Sequence, residues 1–371
     1  METGIWRYAE RLENPPAPVH RITLGEGGTP LLRSRRIGPA AGLENLHFKL
    51  ESANPTGSYK DRFAVAAVSA MREAGVRRCL ATSSGNTGAA LAAACAVAGL
   101  PLHLAIVEPA PADKLRQMLA YGAELRRIRG FGLDPGATSA TFAGLRRLGA
   151  GPGWSLEVSA YAQSPRGMAG VETIAHELAE DLPDGIDHVF APAGGGGLCL
   201  AVARGFAKVA ALAPRHGPGG SAAPAVAVHC VQPEGNDTIA GPLREGRDHG
   251  RRADPCRTSI SGLQVPNLLD ANATIAACRA SGGTGHLVCD DEVYALQARL
   301  AREEGIFSEP AGAVALAGAL RAAAAGEIDP ASTVVCLVTG TGFKDGASLA
   351  RMAGGDETAV VDFEEFSAAL P

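Results

Sequence analysis

The sequence predicts an α/β fold of open, mainly parallel sheets with helices packed on them, arranged in two halves. Three observations carry this. Short β-like runs alternate with Ala-rich helical stretches through the first third of the chain. The alternation returns after an interruption rich in Gly and Pro. The later runs AVAVHCVQPEG and STVVCLVTGTG are apolar over most of their length, as strands covered on both faces are.

Taken in order, LHFKLE, from Leu46, reads as a buried strand, and RFAVAAVSAMREAG as the helix that follows it. CLATSS then leads into the helix GAALAAACAVAGL, PLHLAIVEP into ADKLRQMLAYGA, and ELRRIRG closes the first series. Gly and Pro concentrate from GFGLDPGATSATF to GAGPGWSLEVSAYAQSPRG, which reads as a loop-rich stretch with a domain boundary near residue 155. IDHVFAPA then passes through four glycines into LCLAVARGFAKVAAL, and APRHGPGGSAAP, residues 213–224, reads as a surface loop. The expected division is a larger domain of residues 1–50 and 155–346, a smaller one of 51–154, and a C-terminal tail of 347–371 that turns acidic at DFEEF.

With 46% hydrophobic and 20% charged residues in 371, the composition is that of a soluble globular protein. A net charge of -5 and the lack of any dense Lys/Arg block exclude a nucleic-acid footprint and favour a small-molecule partner. The opening METGIWRYAERLENPP has no apolar signal-like core, and no later run is long enough to span a bilayer, so a cytoplasmic location without membrane contact is expected. The eight cysteines show no C-x-x-C spacing and imply neither zinc nor disulfides. HELAE, from His176, lacks the second histidine of a zinc motif, and His176 reads as a helix-surface residue; no metal is expected.

Chemistry concentrates in four stretches. In NPTGSYKDR, residues 54–62, Lys60 follows a turn-forming cluster and precedes an apolar helical run, which puts it at a helix N-terminus. The positive end of the helix disfavours an ammonium there and favours a nucleophilic amine of the Schiff-base kind. TSSGNTGAA, residues 82–90, again runs from strand into helix, and its hydroxyls and bare N–H groups suit a carboxylate or phosphate. APAGGGGL, residues 191–198, brings four residues without Cβ to the next helix start. It is neither a Rossmann fingerprint nor a Walker loop, so a phosphate on a cofactor other than NAD or ATP fits best. VTGTGFKD, residues 338–345, ends a strand with Thr339 and Thr341 at its C-terminal edge, where a hydroxyl can bond a neutral ring nitrogen.

A lysine, two anion cradles and a neutral hydroxyl describe a pyridoxal-phosphate site. The strings TLGEGGTPLL, LENLHFKLESANPTGSYKDR, TSSGNTGAALAAA, SGGTGHLVCDDEV, AREEGIFSEPAGA and TGTGFKD resemble the threonine synthase branch of the fold type II, tryptophan synthase β-like enzymes, over most of residues 5–346. The resemblance implies two three-layer αβα domains with twisted, mainly parallel sheets, pyridoxal 5'-phosphate in the cleft between them, and a homodimer. It implies that Lys60 forms the Schiff base and then acts as the base at Cα, and that Asn86 bonds the cofactor's 3'-oxygen. Ser83, Ser84 and Thr87 would receive the substrate carboxylate; Gly194, Gly195, Gly196 and Gly197 would hold the cofactor phosphate, and Thr339 would face the pyridine nitrogen. Tyr59 stands where the family usually has Phe.

The departures fall in the half that reads the leaving group. The glycine loop is GGGG, as in threonine and serine dehydratases, where synthases carry asparagines; Arg166 is offset by one from the synthase arginine that would clamp a substrate phosphate; Thr341 replaces a histidine. The type reaction converts O-phospho-L-homoserine to L-threonine by phosphate elimination and water addition. The alternatives are β-elimination from serine or threonine, β-replacement on O-phosphoserine as in cysteate synthase, possible in specialised biosynthesis, and, from another class, a non-catalytic amino-acid binder. Glu309, in SEPAGA, reads either as a neighbour of the cofactor ring or as a plain turn residue; Gln264 and Asn267 read as surface-loop residues.

Overall fold

The computed structural model describes residues 3–212, 225–354 and 358–370, so the expected loop at 213–224 lies outside the described residues. The larger sheet comprises β1 (Leu31–Arg33), β2 (Leu46–Leu50), β7 (His188–Pro192), β8 (Ala227–Pro233), β9 (Gly285–Val288) and β10 (Val334–Val338). Its order is β1-β2-β10-β7-β8-β9, with β1 antiparallel and every other pair parallel. A smaller, all-parallel sheet has β3 (Arg78–Ala81), β4 (Leu102–Val107), β5 (Glu124–Ile128) and β6 (Trp154–Glu157) in the order β5-β4-β3-β6.

β6 corrects the expected boundary. Trp154 lies opposite Arg78 and Glu157 opposite Ala81, so the smaller sheet runs on past residue 155. The stretch before it is not loop either, because Pro135–Gly149 is a helix. Its Gly and Pro residues mark ends: Pro135 opens the helix, and the Asp134 carboxylate caps it by accepting from the Ala137 N–H at 2.6 Å.

Side chains alternate across β3. Leu80 packs with Ala105 and Leu145 on one face, whereas Cys79 and Ala81 join Leu104 and Ile106 on the other. That second face belongs to one continuous core with Val189, Ala191, Val228, Val335 and Leu337 of the larger sheet. Between the sheets lies the helix Lys60–Glu73, whose Phe63, Val65 and Val68 are fully buried in that core. The opposite face of the larger sheet is covered by Asp290–Glu304 and Pro310–Ala324. In the expected tail, Gly346–Ala353 docks on the larger half, Ser348 Oγ accepting from Gln297 Nε2 at 3.0 Å, while residues 358–370 are exposed.

A buried ion cluster fixes the start of the Lys60–Glu73 helix to the larger half. Arg62 is fully buried and donates to Glu51 Oε1 at 2.7 Å, to Glu177 Oε1 at 2.7 Å and to Thr173 Oγ1 at 2.9 Å. Lys49 on β2 reaches Glu177 at 3.1 Å and Asp181 at 2.8 Å. The GEGGTP segment closes the cluster: the Gly28 N–H donates to Glu177, and Thr29 Oγ1 donates to Glu51. Burial alone would push the Glu177 carboxyl up, but Arg62 and Lys49 pull it down to about 2.

His176 is a correction as well. It is buried, not on the helix surface, because its face of Thr173–Asp181 packs on the N-terminal segment Gly4–Arg11, with the Tyr8 ring stacked at 5.4 Å. Burial lowers its pKa to about 4. Across β7, β8 and β9, His229 is sandwiched between His188, at 3.0 Å, and His286, at 3.2 Å, and stacks on Phe190. Burial lowers His229 to about 3 and His286 to about 4. Because these folded-state values lie below the unfolded one, the unfolded chain takes up protons first as pH falls, and stability is lost from about pH 6.5 downward. His229→Gln is expected to flatten the fall in urea midpoint between pH 6 and pH 5, removing about 1.4 kcal/mol per pH unit from the slope. An unchanged slope would show that His229 does not carry it.

Candidate active site

The four predicted stretches meet where strands of both sheets end. Ser83 and Ser84 follow β3, the glycine loop follows β7, Thr339 follows β10, and the segment after β2 leads through Glu51 to Lys60. The lysine turn is stitched to the end of β10: Tyr59 N–H donates to Thr339 O at 3.1 Å, Thr341 N–H donates to Gly57 O at 3.0 Å, and Ser58 bridges Gly340. Thr341 also bridges Ser308, which brings the Glu309 turn alongside.

Lys60 is the first residue of its helix. Its Nζ donates to Ser159 Oγ at 2.8 Å and lies 4.5 Å from the centre of the Tyr59 ring. Burial brings the ammonium down to about 8, against the opposing pull of Glu309 and Asp270. Desolvation is thus the first cause of the shift, where the sequence pointed to the helix dipole.

Asn86 opens the helix Asn86–Ala98, and its Nδ2 donates to Glu309 Oε1 at 2.9 Å. Thr87 Oγ1 lies 3.0 Å from Ser159 Oγ. Glu309 is buried in the site and not merely a turn residue: it starts the helix Pro310–Ala324, its N–H donates to Gly340 O at 3.0 Å, and burial raises its carboxyl to about 7. Gly340 permits that approach, since a Cβ there would stand 2.3 Å from Glu309 Oε1. A folded-state value above the unfolded one means that this carboxyl favours the folded state at low pH and loses that advantage as pH rises from about 4.5 to 7. Glu309→Gln is therefore expected to stabilise the cofactor-free protein at pH 8 by about 1–3 kcal/mol and to change it little at pH 5. Urea titrations at the two pH values check this; destabilisation at pH 8 would contradict it.

The glycine loop turns its carbonyls away from the cleft. Gly194 O accepts from Gln232, Gly195 O from the Asp270 N–H, and Gly196 O from Leu200 and Thr274. What remains for a ligand are N–H groups at the start of Gly197–Leu212, which have no partner within a helix. At Gly196, φ is +97° and a Cβ would stand 2.4 Å from Thr274 Oγ1, so no larger residue fits. Residues 262–269 pass over the loop, with Val265 and Leu269 against Gly194 and Gly195; Gln264 itself is turned back to Thr258 O at 2.9 Å.

Arg166 does not join the site. Its guanidinium donates to Asn14 O and to Glu73, the last residue of the Lys60 helix, about 20 Å from Lys60 at 1.5 Å per residue. The cations near the cleft are instead Lys114, bonded to Ser261 and Asp345, and Lys344, bonded to Gln117 Oε1. A separate cleft of about 800 Å³, lined by Thr3, Gly4 and Trp6–Arg11, contains none of these residues.

The residues present fit pyridoxal phosphate. Thr339 Oγ1 is buried at the end of β10 with no partner, a hydroxyl left for a ligand atom. The Thr339 carbonyl accepts from Tyr59, the residue before the lowered amine, and the glycine loop follows β7, the strand beside β10.

Comparison with known proteins agrees. A family model described as pyridoxal-phosphate dependent enzyme matches residues 22–340. The chain is 32% identical to the threonine synthase of Methanosarcina acetivorans over 363 residues, covering 97% of this chain and 84% of that protein. The chain belongs to the threonine synthase family of pyridoxal-phosphate-dependent enzymes. Its likeness to the threonine synthase of Methanocaldococcus jannaschii is also 32%, over 351 residues, 93% of this chain and 81% of that protein. Among solved structures, the processed form of threonine deaminase isoform 2 from Solanum lycopersicum superposes with a TM-score of 0.73 at 23% identity, covering 95% of this chain and 90% of that one. Maize serine racemase gives 0.71 at 24%, covering 88% and 93%. These two establish the fold, which family membership had led one to expect.

Sequence reasoning missed Ser159, because the strand before it was read as loop, and left Glu309 undecided. The pattern that would have found Ser159 is the β-run WSLE, whose C-terminal end sits two residues before it. Among the described residues no group of His, Cys, Asp and Glu could hold a metal ion, and no helix is long and apolar enough to cross a membrane.

Proposed function

We propose that this enzyme converts O-phospho-L-homoserine and water to L-threonine and phosphate. The observation that carries the reading is the Lys60 amine, held at 2.8 Å from Ser159 between the SSGNT helix start and the glycine loop. When bound, pyridoxal phosphate supplies the electron sink that makes removal of a proton from Cα feasible. The N–H groups of Gly194 to Gly197 would hold its phosphate, Thr339 Oγ1 would face its ring nitrogen, and Asn86, oriented by Glu309, would meet its 3'-oxygen.

Lys60 would bond the cofactor aldehyde until substrate displaces it; its Nζ would then take protons from Cα and Cβ as phosphate leaves Cγ with the C–O bonding pair, and would pass one to Cγ and one to the departing phosphate. Water would add its hydroxyl to Cβ, its second proton ending on Cα. Ser83, Ser84 and Thr87, at the start of their helix, receive the substrate carboxylate. A neutral threonine partner for the ring nitrogen would leave the ring less electron-withdrawing than an acidic one, which would favour elimination and replacement over transamination. Similarity to threonine synthases over nearly the whole chain supports the choice of substrate.

A second reading rests on Arg166. With that cation turned to Glu73, β-elimination or β-replacement on serine, threonine or O-phosphoserine becomes the alternative. The deciding experiment supplies O-phospho-L-homoserine to cofactor-loaded protein and follows phosphate release together with amino-acid product. Phosphate with threonine is the expected result. An intact cofactor spectrum without turnover would overturn it and turn the test to the three alternative substrates. A homodimer is the assembly we propose, to be checked by sedimentation.

A further inference from the structure

The geometry points to Ser159 as a positioning residue that holds the free Lys60 amine in register with Thr87. This rests on the reading of Lys60 given above. Ser159 Oγ accepts from Lys60 Nζ at 2.8 Å and lies 3.0 Å from Thr87 Oγ1. A serine hydroxyl that accepts from an amine keeps both its own proton and a second lone pair, so Ser159 links Lys60 to Thr87 whichever of the two hydroxyls donates.

The hydroxyl is held in place from both halves of the molecule. On one side, Ser159 follows β6 of the smaller sheet, two residues beyond its end at Glu157. On the other, the Asp270 carboxylate accepts from the Tyr161 N–H at 2.8 Å and the Ala162 N–H at 3.0 Å, while the Asp270 N–H donates to Gly195 O. The loop carrying Ser159 is therefore pinned against the glycine loop, and its carbonyl stands 3.3 Å from where a Gly197 Cβ would be.

Two consequences follow for an amine that must leave the cofactor and come back. An unrestrained lysine side chain samples many rotamers, whereas one bonded to a fixed hydroxyl keeps its nitrogen within the cleft. An acceptor also favours the ammonium form, adding to Glu309 and Asp270, the carboxylates that face the amine, and opposing burial. The neighbouring Tyr59 phenol, pushed up by its own burial, does not titrate in the working range.

The test compares Ser159→Ala and Ser159→Thr with the parent. Cofactor-free protein is mixed with pyridoxal phosphate across pH 6–10, and growth of the visible band is timed; this readout needs no substrate. Ser159→Ala is expected to move the pH midpoint of capture down by about one unit, since a hydrogen bond to a charged group is lost. With a substrate that turns over, kcat is expected to fall about 10- to 100-fold with KM within about twofold. Ser159→Thr, which keeps the hydroxyl, is expected to restore both.

A parental midpoint and parental kcat in Ser159→Ala would overturn the inference. So would loss of the band that Ser159→Thr fails to restore, for that would assign Ser159 to cofactor binding or folding. Lys60→Ala separates the two levels: a band that survives it sinks the reading of Lys60 and this inference with it. A band that vanishes there, beside an unaltered Ser159→Ala, sinks this inference alone.

Discussion

Lys60→Ala is expected to abolish the visible absorbance of the cofactor-loaded protein and to reduce turnover by about 10⁴-fold or more, because the proposed mechanism asks one nitrogen to serve as both cofactor ligand and base. The reason is a matter of available lone pairs. At pH 7.5 an amine with a pKa of about 8 is roughly one quarter neutral, whereas an unperturbed lysine is roughly one thousandth neutral. The other two lysines near the cleft are engaged: Lys114 is bonded to Asp345, and Lys344, lowered by burial as well, donates to Gln117. Lys60 takes no part in the ion cluster or the core, so the variant should fold. Absorbance spectra before and after borohydride reduction, with circular dichroism as the folding control, decide the matter. A reducible band in the variant would remove Lys60 from its role.

Arg62→Met is expected to destabilise the protein by about 3–5 kcal/mol, since it takes the paired cation from buried Glu51 and leaves Glu177 with Lys49 alone. Set against the roughly 5–15 kcal/mol that holds a domain together, that is a large fraction. The loss concerns the broken pair, and replacing the whole cluster by apolar residues is a different experiment with a smaller expected cost. Urea unfolding of the cofactor-free protein measures it; a change below about 1 kcal/mol would mean that Glu51 and Glu177 are not held as charged partners. Because Arg62 lies two residues after Lys60, cofactor capture by any folded fraction should slow too.

How much of this was legible follows from what each residue depends on. Lys60, Asn86, Thr87, the four glycines and Thr339 sit at junctions between strand and helix, and such junctions show in the local sequence. Arg62 and Glu177 stand side by side only after the chain has folded back over more than a hundred residues, so SYKDR drew the eye to its lysine and HELAE was set aside with its histidine. Trp154–Glu157 was lost for a different reason. Four residues pair into a parallel sheet only because β3 waits for them, and the glycines and prolines around them spoke louder locally. Arg166 shows the converse, an arginine near a familiar motif whose guanidinium is claimed by Glu73. The 2.9 Å contact of Asn86 with Glu309 spans the two halves and has no local signature at all.

One feature of the stitching reaches beyond this chain. The groups assigned to the cofactor, Lys60, the glycine loop and Thr339, are tied to the larger sheet by the ion cluster, by β7 and by β10. Those assigned to the substrate, Ser83, Ser84 and Thr87, follow β3 of the smaller sheet, as does Asn86 of the cofactor set, which Glu309 ties back to the larger half. Mutation can therefore redraw the second set while the first stays intact, and a descendant can change its diet without giving up its vitamin.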